Sequence, residues 1–554
     1  MSPTDRATPG VFIDEPSAFP NAIVGVQTAV PAFIGYTAKA VVNGRSAYFT
    51  PVLVNSMAEF EAAFGAAFTS TYDIVEVPSA VGAGFTAQRW NAGTQTFAQK
   101  FYALARANGV FNLYNSLRLF YANGGGPCYV VSVGGYTDDG RVPGGAAIDA
   151  AKLTQGLTAI GAQAGPTILA IPDAVLLKPD ATPAHGVPVS AAFNTLAQAM
   201  LAQCGALQDR VAILDVYGAD ALKPDPNGSV SNSALGYLVE TFQNGVGNSS
   251  LNYGMAYFPF LQTTVVQPNE VDYRNFSIGK ADQLALLQGI LTDTAAQLYP
   301  DMSRPGVDPA DNASPQYLQL KTMIAAIPST TDASAIAQLN QGLANAIPLL
   351  RQMETVVATA LNLLPPSGAM AGLYAFTDST RGVWNAPANV TPVAVTAPSV
   401  RLNNQQQDAL NAPVNGKAIN AIRYFAGRGT LVWGARTLDA NSNEYRYIPV
   451  RRTLIYVEQS SKRALAPFVF SPNDSNTWVA VTAMVSSFLT KLWQQGGLIG
   501  DRPNDAFAVQ CGLGSTMTAE DILEGTMIVQ VMLAMVRPAE FIVLQFKQKM
   551  DGGA

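Results

Sequence analysis

Histidine and cysteine are scarce: the 554 residues hold one histidine, His185, and three cysteines, Cys128, Cys204 and Cys511. Zinc sites built from two or more such ligands cannot be assembled from this inventory within one chain. A Ser-His-Asp triad would need His185 itself, which sits in the proline-rich run KPDATPAHGVP, a loop pattern, and no GxSxG elbow presents a serine to it. The cysteines are odd in number, widely spaced and free of CxxC pairs, which fits buried thiols in a reducing compartment better than a disulfide framework. Charge is short too. Only 13 % of residues are charged and the net charge is -6, which argues against wrapping a nucleic acid. No apolar run reaches the roughly 18 to 20 residues that span a bilayer, and the opening MSPTDRATPG has no signal-peptide pattern, so synthesis in the cytoplasm without membrane insertion is expected.

Phosphate loops are missing as well: GxxxxGK[ST] does not occur. Gly124 to Gly126 precede a strand-like CYVVSV, whereas a phosphate cradle follows a strand and opens a helix, so a tight turn is expected there. Gly512 and Gly514 precede Thr518 and Asp521, and a capping box accounts for that spacing. No cofactor or metal is expected, and an α/β nucleotide-binding enzyme is a remote alternative. What is abundant is apolar surface. With 48 % hydrophobic residues, little polar area remains to keep a lone chain soluble, which implies that much of the surface is interface.

The length implies two to four domains. From 110 to about 265, charge-poor β-rich runs at Tyr129 to Val133, Thr167 to Ile171, Val211 to Val216 and Tyr253 to Leu261 alternate with helical patterns such as AAFNTLAQAMLAQCGAL. That alternation predicts a mainly parallel sheet covered by helices. Residues 36 to 109 read as a loop-rich subdomain, 280 to 365 as long helices, and 365 to 400 as an extended connection. Trp478 to Gln494 carries Val481, Met484, Val485, Phe488 and Leu492 on one helical stripe stopped by Gly496 and Gly497. Thr526 to Val536, apolar on both faces, reads as a central strand ended by Arg537-Pro538. Short β-segments stand at both ends, VFIDE after Pro9-Gly10 and Glu540 to Lys549. Neither is stable without an acceptor sheet, in its own subunit or a neighbour's.

TPGVFIDE, AVPAFIGYT at 29 to 37, NGGGPCYVVSVG at 123 to 134, RYFAGRGTLVWGART at 423 to 437, RRTLIYVEQSSKRALAPFVFSPNDSNTW, LWQQGGLIGDRPNDAFAVQCG and VRPAEFIVLQFKQK resemble, in order and spacing, segments of contractile tail sheath proteins. The form of AVPAFIGYT and the single long chain look most like the sheath of an extracellular contractile injection system of the antifeeding-prophage type; a contractile phage tail sheath is the alternative. The resemblance implies a non-enzymatic subunit of stacked hexameric rings around an inner tube, with baseplate and cap or terminator proteins as partners, contracting to drive the tube through a target membrane. The final particle would be extracellular, membrane-anchored or phage-borne.

It also implies terminal arms exchanged between subunits, with Pro9, Gly10, Val11, Phe12, Ile13, Phe541, Ile542, Val543, Leu544 and Phe546 as the contacting residues. Tube-facing contacts are expected at Lys462, Arg463 and Lys491, cations on two helices of the C-terminal domain. The expected fold is α/β and α+β multidomain. Its expected parts are an N-terminal arm (1–22), a first core strand plus inserted subdomain (23–109), an α/β domain (110–275), a helical inserted subdomain and connector (276–395), a C-terminal core domain (396–538) and a C-terminal arm (539–554).

Overall fold

A computed structural model describes residues 23–137, 147–180, 184–304 and 307–541. Two compact units are distinguished, a large one of Thr28–Arg381 with Asn385–Arg451, and a smaller one of Met1–Gln27, Gly382–Trp384 and Arg452–Ala554.

The large unit is built on eight strands: β1 (Pro31–Thr37), β2 (Val52–Val54), β3 (Cys128–Gly135), β4 (Ile168–Ala170), β5 (Val211–Asp215), β6 (Gly254–Phe258), β7 (Ile419–Phe425) and β8 (Gly429–Trp433). Their spatial order is β8-β7-β6-β5-β4-β1-β3-β2. From β7 through β3 every pairing is parallel, and an antiparallel strand closes each edge. All seven residues of β1 are buried, as expected of a strand covered on both faces. Helices α1 (Leu113–Ala122), α2 (Ala150–Gly161), α3 (Ala191–Leu207) and α4 (Asn232–Gly245) supply that cover. Successive residues of β1 point to opposite faces. Phe33 meets Phe120 of α1 with ring centroids 5.3 Å apart, while a side chain at Gly156 of α2 would collide with Ile34.

The 36–109 region is more ordered than its composition predicts. It contains an antiparallel meander, with Thr96–Arg106 between Tyr72–Val77 and Phe85–Asn91. The meander packs on α5 (Ala281–Leu298) of a four-helix segment completed by α6 (Pro315–Ala326), α7 (Ala333–Ala346) and α8 (Pro348–Leu361). Arg89 pairs with Asp293 at 2.8 Å, the Trp90 indole donates to Asp308 at 2.9 Å, and the Ile74 amide donates to Gln283 at 2.7 Å. Two segments far apart in sequence therefore make one module.

Two further expectations are corrected. The stretch from 365 is not an extended connection at its start, because Ser367–Arg381 forms helix α9. Small residues hid it: a side chain at Gly368 would lie 2.4 Å from the Ser116 carbonyl oxygen of α1, and one at Gly372 2.5 Å from that of Phe120. The pair packs by close backbone approach, without the broad apolar stripe that periodicity detects. Residues 419–433, grouped above with a C-terminal domain starting at 396, instead extend the large sheet, since β7 pairs in parallel with β6. Two buried carboxylates tie this unit together. Asp173 accepts from the amides of Tyr36, Asn112 and Leu113 at 2.9, 2.6 and 3.2 Å, covering the start of α1, and Asp215 accepts from the Ser367 amide and hydroxyl at 2.8 and 2.6 Å, covering the start of α9.

Candidate assembly interface

The smaller unit is built on α10 (Ile448–Leu465), from Arg452 onward, and α11 (Ser475–Gln494). Asp474 caps α11 by accepting from the Thr477 amide at 3.0 Å. The expected stripe Val481, Met484, Val485, Phe488 and Leu492 is buried, joined by Val457, Phe468 and Leu498. Gly496 takes a φ of 84°, which stops the helix as its sequence position suggested. Ile23 lies in the same core, and the Val26 amide donates to Ser460 at 3.1 Å. The first and last described residues, Ile23 and Phe541, thus both belong to this unit.

Against this core lies a two-stranded sheet, β9 (Phe507–Gln510) antiparallel to β10 (Gln530–Leu533). Here the expected central strand over Thr526 to Val536 is corrected. Only Gln530–Leu533 is strand, and its residues alternate between half-buried and exposed, with Met532 45 % exposed. It is apolar on both faces without being covered on both. Among the described residues no strand pairs with the outer edge of either β9 or β10. A two-stranded ribbon of this length is marginal by itself. Beside β9 runs an open groove of about 540 Å³ lined by Trp478, Val479, Ala483, Val509, Cys511 and Ser515. Val479 is 69 % exposed and Leu513 57 %, a concentration of bare apolar side chains that marks an interaction surface.

Of the residues singled out for terminal arms, Phe541 is described and 76 % exposed. Pro9, Gly10, Val11, Phe12, Ile13, Ile542, Val543, Leu544 and Phe546 lie outside the described residues. Lys462, Arg463 and Lys491 are all exposed. They do not form one patch: Tyr456 meets Phe488 at 5.7 Å between centroids, and the short connection 466–474 folds α11 back along α10. Lys462 and Arg463 therefore stand by the connection and Lys491 toward the other end of the pair. Sequence reasoning missed the exposed Val469 and Phe470 of that connection and the bare edges of the two-stranded sheet. Apolar residues on both faces of so short a strand were the available signal for the latter.

The residues weighed for chemistry stay apart. His185 is exposed in a loop, 5.6 Å from the Tyr237 ring, and Cys128 and Cys204 are buried. Burial pushes the Cys128 thiol up to about 12, so it is an inert packing group. Gly124 turns out of α1 with a φ of 93°, and Thr518 and Asp521 form the capping box expected of them. Among the described residues no group of three or more His, Cys, Asp or Glu could hold a metal, and no helix is long and apolar enough to cross a membrane.

Comparison with known proteins bears on this unit first. Residues 440–549 match the family model of the phage tail sheath C-terminal domain. The tail sheath protein of Vibrio phage KVP40 is 28 % identical over 138 residues, 24 % of this chain and 20 % of that protein, so the match spans about a fifth of the relative's length. Cryo-EM structures of the anti-feeding prophage are similar over 98 % of this chain and 100 % of theirs at 25 % identity, with TM-scores of 0.54 for its baseplate and 0.53 for its helical sheath in the contracted state. The sheath complex of the extracellular contractile injection system PVC, contracted, shares the fold at 24 % identity and a TM-score of 0.54, covering 98 % of both chains.

Proposed function

We infer that this member of the contractile tail sheath protein family is a structural subunit of the sheath of a phage tail-like injection system. In this reading it polymerises as stacked hexameric rings around an inner tube, contacts baseplate and cap proteins at the ends, and contracts to drive the tube through a target membrane. The observation that carries it is the likeness over nearly the whole chain to a helical sheath in its contracted state. A contractile phage tail sheath is the second reading, favoured by the Vibrio phage relative. Both readings share one role, and both have the particle assembled in the bacterial cytoplasm.

The open two-stranded sheet supports a specific mode of cohesion. Residues 8–15 and 540–549 of neighbouring copies would add strands to β9 and β10. Each added strand would form about four to six backbone hydrogen bonds, worth about 0.5–1.5 kcal/mol net apiece, enough to tether copies while their bodies slide. Lys462, Arg463 and Lys491 would face the tube. Stored work would come from two packings of the same subunits that differ by a few kcal/mol each, released together.

The test is electron microscopy of the purified chain, which should form wide, hollow, ridged tubes. A chain lacking residues 1–15 should stay folded and soluble but form none. Full-length tubes from the truncated chain would refute arm exchange, and the absence of tubes from the intact chain would refute the sheath reading itself.

A further inference from the structure

At the edge of the large sheet, the β7–β8 hairpin carries a stack of cations and rings. Phe425 and Trp433 lie 4.7 Å apart between centroids. The Arg423 guanidinium sits 5.3 Å from the Phe425 ring and that of Arg428 5.6 Å from the Trp433 ring, so the aromatic pair is flanked by a cation at each end. On the opposite face of β7, Arg401 stands 5.3 Å from the ring of Tyr424, which is 45 % exposed. Cation–π geometry of this kind holds a guanidinium in place without neutralising it. Among the described residues none of the three arginines has a carboxylate partner: Arg423 donates to Asn404 and Gln407, and Arg428 to Asn389. Between Val400 and Leu438 the chain has Arg401, Lys417, Arg423, Arg428 and Arg436 against one carboxylate, Asp408. In a chain of net charge -6 this is a local excess of positive charge; Lys417 and Arg436 are buried and bonded within the fold, while Arg423 and Arg428 use one guanidinium nitrogen each on those amide side chains.

The opposite imbalance lies in the smaller unit. Between Arg502 and Arg537 there is no lysine or arginine. Within that stretch the turn Ala519–Leu523, held by the Thr518–Asp521 capping box, displays Glu520 and Glu524 on either side of Leu523, which is 87 % exposed. Neither glutamate is ion-paired among the described residues.

We propose that the arginine–aromatic stack of one copy docks the acidic turn 519–525 of a second copy, with Arg423 and Arg428 at the two ends of the stack facing Glu520 and Glu524 and the rings receiving Leu523. The two surfaces match in both respects, cations to carboxylates and rings to an exposed leucine, and a guanidinium held on a ring offers its fork of donors to a carboxylate. Because the two surfaces differ, each copy keeps one free of its own, so the contact propagates into a ring or helix of copies. The proposal rests on the sheath reading and adds to it a contact between subunit bodies, separate from the terminal arms.

Charge reversal in trans tests it. R423E/R428E and E520R/E524R chains, each confirmed folded by circular dichroism and gel filtration, should each lose tube formation under conditions where the unmodified chain forms tubes. Mixed in equal amounts they should regain it, since each reversed surface then meets its complement, and the fourfold variant should form tubes alone. As a measurement independent of folding losses, an R428C chain mixed with an E524C chain should give a dimer with a short bismaleimide inside the tubes. Normal tubes from both reversal variants, no recovery on mixing, or no crosslink would overturn the contact while leaving the sheath reading intact. Loss only of assembly on an inner tube would also overturn it, by assigning the stack to that partner. Failure of the unmodified chain to form tubes would overturn both.

Discussion

The large sheet and the small one meet the problem of strand edges differently. Eight strands end in antiparallel β2 and β8 and lie between helices, and Val432 of β8 exchanges backbone hydrogen bonds with Asn389 and Val390 of the same unit, so one edge of the large sheet is covered from within. In the smaller unit β9 and β10 have only each other among the described residues, while apolar side chains beside them stay bare. An exposed edge is a hazard unless it is kept short or reserved for a partner. The difference separates work within the chain, where one unit supplies a self-sufficient body and the other an unfinished surface whose completion depends on what it meets.

If that contrast is sound, the largest effect comes from the body. Phe33→Ala removes a fully buried ring packed on Phe120 and should cost about 3–5 kcal/mol in denaturant unfolding. Val531→Ala in the small sheet should cost less than about 1.5 kcal/mol to the isolated chain. Similar losses for the two would show that the small sheet is already complete.

A smaller effect concerns pH, and it has opposite signs in the two units. Burial pushes Asp215 up to about 7 and Asp173 up to about 6, against the hydrogen bonds each accepts. A carboxyl raised above its unfolded value gives stability that is complete below about pH 4 and lost as the pH climbs through its folded value. The large unit should therefore gain stability on acidification from about pH 7 to about pH 4, and Asp215→Asn should flatten that gain in thermal midpoints. In the smaller unit the Thr518 amide holds the Asp521 carboxyl below its ordinary value, so its contribution is present above about pH 4 and fades in stronger acid. A pH slope unchanged by Asp215→Asn would remove this carboxyl from the account.

The smallest effect on stability belongs to Lys462, Arg463 and Lys491. Their joint reversal to Glu should change unfolding by less than about 1 kcal/mol, since exposed charges contribute little. If they face a tube, assembly on the tube should weaken more than self-polymerisation, most of all at low salt. Equal loss of both would move them to a contact between sheath copies.

These contrasts were unevenly legible in the sequence. Charge-poor runs such as Val211 to Val216 and the stripe of α11 announced themselves because burial on both faces or on one stripe leaves a periodic mark. Helix α9 did not, because its packing depends on Gly368 and Gly372. The return of β7 to the large sheet, some 160 residues after β6, is a long-range pairing that no local pattern encodes. At the interface, the exposure of Lys462, Arg463 and Lys491 could be read from their residue types. Their separation could not, because it depends on how α10 and α11 pair.

The meander and the helices that cover it have a consequence in time. The last meander strand ends at Arg106 and α5 begins at Ala281, so 174 residues must be made between them. At roughly 5–20 residues per second the meander waits about 10–35 s on the ribosome before Asp293 and Gln283 exist to meet Arg89 and Ile74. During that interval a half-covered antiparallel sheet stands exposed on each nascent chain. Chains made side by side on one message would therefore present matching unprotected surfaces to each other before any of them is ready to assemble.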